Sequence, residues 1–212
     1  MNAVKLIWIT PNAEELITYM ARVSNPKNQN NVDTSPKLLK YLLKNKHFSP
    51  FEMANACFEI NTTRDIARQI LRHRSFSYQE FSQRYADPTL MEHAIRETRL
   101  QDFSNRQNSL SNNNSELDQW WKTAQASLWQ HSLQTYNNAL NEGIAKEVAR
   151  SVLPEGMTRS RMYMNGTIRS WIHYIQLRTD PSTQKEHRCI AEEIDYILSK
   201  ELPNVWEALK DD

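Results

Sequence analysis

The clearest period-two pattern in the chain lies between Met53 and Ile60. There Ala54, Ala56, Phe58 and Ile60 share one face, which predicts a half-buried strand. Val4 to Thr10 is apolar-rich and predicts a strand, and Thr158 to Thr167 fits a third. Period-3.6 patterns fill most of the remainder. Pro11 opens a helix to about Val23, proline being tolerated in a first helical turn. Ser35-Pro36 reads as an N-cap with proline at N1, followed by Leu38, Leu39, Leu42 and Leu43 on one face and an end near His47. Thr62 and Asp65 form a variant capping box for a helix that turns Ile66, Ala67, Ile70 and Leu71 inward. A long amphipathic helix is predicted over Leu117 to Glu142, with Trp121, Ala124, Leu128, Tyr136 and Leu140 at near-helical spacing. Short helices follow at Ile144–Leu153 and Ile168–Leu177. Thr183-x-x-Glu186 is read as a capping box for a last long helix to about Leu202, with Pro203 starting a tail. Asn25 to Asp33 and His47 to Glu52 read as loop and turn. Leu100 to Gln119, rich in Asn, Ser and Gln, is the candidate for a flexible insertion. The fold class is α+β: a mostly helical single domain, 1–212, with a small mixed or antiparallel sheet.

Composition narrows the function classes. Formal net charge is +1, so no global field draws the chain to nucleic acid or acidic membranes. No apolar run approaches the roughly 20 residues of a membrane span. Met1 to Thr10 lacks a secretory pattern, so the expected location is the cytoplasm. Cys57 and Cys189 are expected to be reduced, buried thiols, and no spacing of His or Cys predicts a metal site. Three glycines cannot write a Rossmann fingerprint or a P-loop, so any phosphate must be held by side chains and helix N-termini.

Charge is distributed unevenly. Arg64, Arg68, Arg72, Arg74 and Arg84 fall within 22 residues against Asp65 and Glu80. Arg159, Arg161, Arg169 and Arg178 occupy a segment with no acid. Arg64, Arg68 and Arg72 share a helix face, where like charges repel by roughly a few tenths of a kcal/mol per pair, so an anion is expected opposite them. The alternative is that Arg64 and Arg68 pair with nearby acids. Arg159 and Arg161 alternate along a strand and read as structural. The densest constellation is Arg72-His73-Arg74-Ser75-Phe76-Ser77-Tyr78-Gln79-Glu80-Phe81-Ser82-Gln83-Arg84-Tyr85. Its residue types suit a phosphate-bearing ligand with a hydrogen-bonding heterocycle, or equally a surface helix followed by a polar loop.

The spacing separates these readings. Arg-His-Arg, seven residues and then Ser82 resembles the signature of the flavin-dependent thymidylate synthases. His47-x-Ser49-Pro50-Phe51-Glu52, Ala149-Arg150-x-x-Leu153-Pro154, and Asn165 to Arg178 resemble further elements of that family in the same order, and Gln184-Lys185-Glu186 matches a fourth loosely. Gln79 stands where many members carry Asn, Met53 where His is common, and Leu100–Gln119 aligns with nothing in the family pattern.

The resemblance implies conversion of dUMP to dTMP, with 5,10-methylenetetrahydrofolate as carbon donor and NADPH as reductant acting through FAD. It implies FAD contacts from His47, Ser49, Arg72, His73, Arg74, Glu80, Arg169 and His173. It implies dUMP contacts from Gln69, Arg72, Glu80, Ser82, Gln83, Arg84, Arg150 and Arg178, with Arg178 also the catalytic residue, set against the uracil. A guanidinium stays protonated, so Arg178 would stabilise developing negative charge rather than act as a base. Ser82 lacks an evident activating His and reads as a binding group. The resemblance further implies a homotetramer with sites shared between subunits, to whose interface Trp120, Trp121 and Trp129 are candidates. Alternatives are a flavin-binding relative without turnover, a hydroxymethyl-pyrimidine product, or a single-stranded nucleic-acid module using Phe76, Tyr78, Phe81 and Tyr85 as stacking platforms.

Overall fold

The computed structural model describes residues 3–86 and 92–210; Met1, Asn2, residues 87–91, Asp211 and Asp212 lie outside it, with the reading of the first two positions. Strands β1 (Val4–Ile9), β2 (Asn55–Thr63), β3 (Ser77–Glu80) and β6 (Arg159–Thr167) form one antiparallel sheet in the order β1-β2-β6-β3. The expected alternation in β2 holds: Ala54, Ala56, Phe58 and Ile60 are fully buried. In β6 it is the even positions, Ser160, Met162 and Met164, that turn inward; Arg159 and Arg161 share one side, as their alternation predicts, and that side is exposed.

Helices pack on the buried face of this sheet: α1 (Ala13–Ala21), α2 (Ser35–Lys44), α3 (Arg64–Ile70), α6 (Ile168–Arg178), α7 (Lys185–Glu201) and α8 (Pro203–Lys210). Their inward residues, Ile17, Leu39, Leu43, Ile66, Ile70, Ile172, Ile194, Leu198 and Val205, join one core with the strands. A second, smaller core joins the C-terminal half of α4 (Ser115–Asn141) to the short helix α5 (Lys146–Ala149) through Trp129, Tyr136, Ala149, Leu153 and Met157.

Several expectations are corrected. β2 runs on to Thr63, so Thr62 is a strand residue and no capping box forms; Thr63 instead donates its hydroxyl to Asp65. The first helix starts at Ala13, because Asn12 takes a left-handed conformation (φ 50°). Leu71 lies just past α3 and is exposed. Thr183 does not cap α7, because Glu186 is drawn away to Arg99 at 2.7 Å. On α4 the buried stripe is Gln125, Trp129, Ser132 and Tyr136, while Trp121 and Leu128 face outward.

Pro203 begins a helix rather than a tail. Proline suits a first helical position, and Glu14 from α1 accepts from Asn204 Nδ2 at 2.6 Å and the Val205 amide at 2.8 Å. Two polar stretches are ordered too. Ser77–Glu80 forms edge strand β3 against β6, and Leu100–Gln119 contains the hairpin β4 (Arg99–Gln101) and β5 (Ser109–Ser111). Asp102 holds the hairpin turn, accepting from the Ser104 and Asn105 amides, the Ser104 hydroxyl and Asn108 Nδ2.

Candidate active site

The site is built on α6. Thr167 caps it by accepting from the Ser170 amide at 3.2 Å, and Trp171 fixes it to the sheet by donating Nε1–H to the Ala56 carbonyl at 3.1 Å. Trp171 meets Phe58 and Phe76 edge to face at centroid distances of 4.9 and 4.6 Å. Such pairs add directional attraction to their burial. Gly166, opposite Ala56 in the sheet, leaves room for the Phe76 ring: a Cβ there would lie 2.4 Å from it. The single Tyr78 hydroxyl proton is shared between the carbonyls of Ile70 and His73, at 2.9 and 2.8 Å, so β3 holds the turn that presents Arg72-His73-Arg74.

At the N-terminal end of α6, Arg169 sits in the first turn, where the helix dipole opposes a cation. Glu52, from the 3-10 turn Ser49–Met53, offsets this with a salt bridge, and the Arg169 guanidinium lies 5.9 Å from the Phe48 ring. Beside them opens a cavity of about 420 Å³ lined by Phe48, Glu52, Ser75, Arg169, Ser170, Ile172, His173 and Gln176. Expected flavin residues Arg169 and His173 thus meet in one cleft, with Ser49 on its bordering turn. Ser75, Glu52 and Phe48 join them without having been singled out. His47 is exposed, its ring edge-on to Tyr41 at 6.0 Å.

At the C-terminal end, Arg178 is the last residue of α6, where the dipole favours a cation. Its Nε–H donates to His73 Nε2 at 2.8 Å, joining the two arginine-rich segments. Among the described residues the terminal guanidinium nitrogens of Arg178 make no hydrogen bond. His73 must be neutral to accept. Burial first, then the charges of Arg178, His173 and Arg72, hold its pKa down at about 4. Tyr174 packs edge-on against His73 at 4.9 Å, and its hydroxyl meets His187 Nε2 at 3.0 Å. His187, fully buried, is held at about 3 by burial and by Arg178 and His73. Gln69 completes the cluster, with Oε1 3.3 Å from His187 Nδ1.

A pH prediction follows. Both histidines have folded pKa values below the ordinary value near 6.5. Their neutral forms stabilise the fold fully above about pH 6.5, and that contribution is lost as pH falls toward about 4 and 3. The melting temperature of ligand-free protein is therefore expected to drop between pH 7.5 and 5, and to drop less in His187→Gln. Equal slopes in melts of the two proteins at pH 7.5, 6 and 5 would rule out this source.

The other expected nucleotide residues stand apart. β3 runs antiparallel to β6, so Glu80 lies beside Met162, accepting from Ser160 Oγ at 2.6 Å and pairing with Arg64 at 3.5 Å. Ser82, Gln83 and Arg84 follow in a turn, and Arg84 reaches Glu147 of α5 at 3.6 Å, next to Arg150 at that helix's end. Gln83 is buried, yet its Nε2 has no partner among the described residues. The anions facing Arg64 and Arg68 are Glu80 and Glu155, which is the alternative of pairing with nearby acids; Arg72 and Arg74 are exposed. Ser82 Oγ accepts from the Arg84 amide at 3.4 Å. Cys57 is buried and its thiol pKa raised by that burial, but Cys189 is exposed, contrary to expectation. Among the described residues no helix is long and apolar enough to cross a membrane.

The residues sequence reasoning missed are Tyr174, Gln184 and His187. One signal was present: His187 precedes Ile190, Ala191, Ile194 and Leu198 at helical spacing, a polar ring on an apolar face.

Comparison with known proteins places the chain among relatives of one description. A family model described as "Thymidylate synthase complementing protein" matches residues 5–204. A "Probable flavin-dependent thymidylate synthase" of Paramecium bursaria Chlorella virus 1 is 52% identical over 198 residues, covering 93% of this chain and 90% of its own length. A "Flavin-dependent thymidylate synthase" of Synechocystis sp. is 51% identical over 197 residues, covering 93% and 89%. One of the same description from Thermus thermophilus is 28% identical over 198 residues, covering 93% and 72%.

Proposed function

Because this chain belongs to the family of flavin-dependent thymidylate synthases, we propose that it converts dUMP to dTMP with FAD as its cofactor, 5,10-methylenetetrahydrofolate as carbon donor and NADPH as reductant. The observation that carries this reading is the bond from Arg178 to His73. It spends only Nε–H, leaving the four N–H donors of the guanidinium edge for a ligand. A fixed cation that cannot lose its proton suits a pyrimidine that carries negative charge on its ring oxygens and nitrogen as its C5 becomes nucleophilic toward the carbon donor. His73, neutral and oriented, keeps that cation in place without adding a competing charge.

The cleft beside Arg169 fits the flavin. Phe48 and Ile172 offer an apolar wall, while Arg169, His173 and Ser75 offer donors for phosphate or ring oxygens. Arg72, His73 and Arg74 extend these donors along the preceding turn. When bound, the flavin supplies the electrons that turn the transferred methylene into a methyl group. The protein's part is to bind, orient and exclude water.

Ser82, Gln83, Arg84 and Arg150 form a second basic cluster past the end of β3, and among the described residues none of them bonds to Arg178. That lack of a bond supports a homotetramer in which one copy's second cluster completes another's Arg178 cluster. The outward face of α4, with Trp120 62% exposed, supports the same arrangement. The family match favours an enzyme over a nucleic-acid module.

The test is mass spectrometry of the pyrimidine formed from dUMP, methylenetetrahydrofolate, NADPH and FAD. A product of dTMP mass, absent without FAD or NADPH, is expected. A hydroxymethyl product would change the reaction assigned, and unchanged dUMP with flavin bound would leave a relative without turnover.

A further inference from the structure

A run of hydrogen bonds leads from the buried aromatic cluster to the surface, and its direction can be read from one end. Glu186 is the anchor. Burial pushes its carboxyl pKa up, but hydrogen bonds from Arg99, its own backbone and Gln184, with the charge of Arg96, outweigh this and hold it at about 2. It is a carboxylate and can only accept. Gln184 must therefore point Nε2 at it, as the 2.9 Å contact shows, which turns Gln184 Oε1 the other way. That oxygen accepts from Gln69 Nε2 at 2.8 Å. Gln69 Oε1 is then an acceptor, and the group facing it, His187 Nδ1 at 3.3 Å, must be the N–H. A neutral imidazole with Nδ1–H has a lone pair on Nε2, and the Tyr174 hydroxyl donates to it at 3.0 Å. Every bond from Tyr174 to Glu186 points the same way, and each fixes the next.

The consequence falls on Gln69, the member of the run that stands with Arg178 and His73. An unrestrained amide can present either its oxygen or its nitrogen to a ligand. Here the carboxylate at one end and the imidazole N–H at the other select one orientation, with Oε1 toward His187 and Nε2 toward Gln184. Nε2 carries two hydrogens and Gln184 takes one.

Resting on the nucleotide reading above, we propose that His187 is a positioning residue that locks Gln69 as a hydrogen-bond donor to an acceptor oxygen of the bound nucleotide, a phosphate or pyrimidine carbonyl oxygen. Without the His187 N–H, Gln69 is held only through Gln184 and its oxygen has lost its donor, so a turned amide that brings the oxygen toward that acceptor becomes accessible and weakens the contact. Losing a hydrogen bond of this kind corresponds to about a tenfold loss of affinity.

The two nitrogens of His187 can be replaced separately. His187→Asn places an amide N–H near the position of Nδ1, facing Gln69. His187→Gln reaches farther, to the position of Nε2, facing Tyr174. Binding of dUMP to the flavin-loaded protein is measured by calorimetry, with thermal melts of each variant. The expected result is affinity within about threefold of wild type for Asn and about tenfold weaker for Gln, with flavin content unchanged in both. Equal losses in the two variants would assign His187 a merely structural role and overturn the proposal, as would full affinity in His187→Gln. If position 187 tolerates neither change, Tyr174→Phe deletes one oxygen from the same run. A two- to fivefold weakening by calorimetry is then expected, and unchanged affinity overturns the lock. Wild-type protein that does not bind dUMP would overturn the nucleotide reading and this proposal together, an outcome distinct from wild-type binding with equal losses in the variants.

Discussion

Arg178→Ala is expected to lower dTMP formation by about 10²–10³-fold or more while FAD stays bound, the range seen when one donor aimed at developing charge is removed. The flavin cleft is formed at the other end of α6, from Arg169 and His173, so its contents should survive the change. Arg178→Lys is the sharper variant. It keeps a charge, but lysine has no Nε–H fork to rest on His73 Nε2, so the cation is present and unplaced. Lysine should therefore restore little of the rate. Single-turnover formation of dTMP, read beside the flavin absorbance of the purified variants, checks both. Wild-type turnover in the alanine variant would remove Arg178 from the chemistry.

The second large effect is on stability. Gly166→Ala places a methyl 2.4 Å from the Phe76 ring, and that ring cannot retreat, because Trp171 stands 4.6 Å and Tyr174 5.9 Å from it. Overpacking of this kind costs about 1–3 kcal/mol or more. For a chain of this length that is roughly 2–12 °C in melting temperature. Because Phe76 also packs on the floor beneath His73, at 6.5 Å, nucleotide binding should weaken along with stability. Phe76→Leu in the same chain shortens the obstructed ring, so the double variant should melt above the value given by adding the two single losses. Strict additivity in thermal melts would show that the clash lies elsewhere.

How much of this was legible beforehand depended on whether a feature is local. β2 could be read because its alternation is carried by its own residues. Arg72, His73 and Arg74 could be read because three charged or polar residues with fixed spacing are a local pattern. β3 could not: Ser77 to Glu80 is an edge strand in which Tyr78 and Glu80 are only partly buried, so it carries no apolar face of its own. The helix after Pro203 was missed because its N-terminal acceptor, Glu14, lies 190 residues away in the chain. The same holds for the site. Gln69 was read as a nucleotide contact, but its partners Gln184 and His187 are 115 and 118 residues distant, and no spacing rule reaches that far. The capping box at Thr183 failed for a related reason: Glu186 has the right residue type for a local bond, but a half-buried pair of arginines competes for it and wins.

One helix carries both ends of the candidate site. Arg169 and Arg178 lie on α6, nine positions apart, so about 13.5 Å of rise separates them along the axis. α6 is thus a gauge block between the flavin cleft and the cation at its far end, and Trp171 clamps it to the sheet close to the Arg169 end of that length. Adding one residue between them would turn Arg178 by about 100° around the axis and move it about 1.5 Å along. That rotation would take Nε away from His73 altogether. The hairpin between β4 and β5 can change length without altering that gauge, whereas α6 cannot gain or lose a residue and still hold both ends in place.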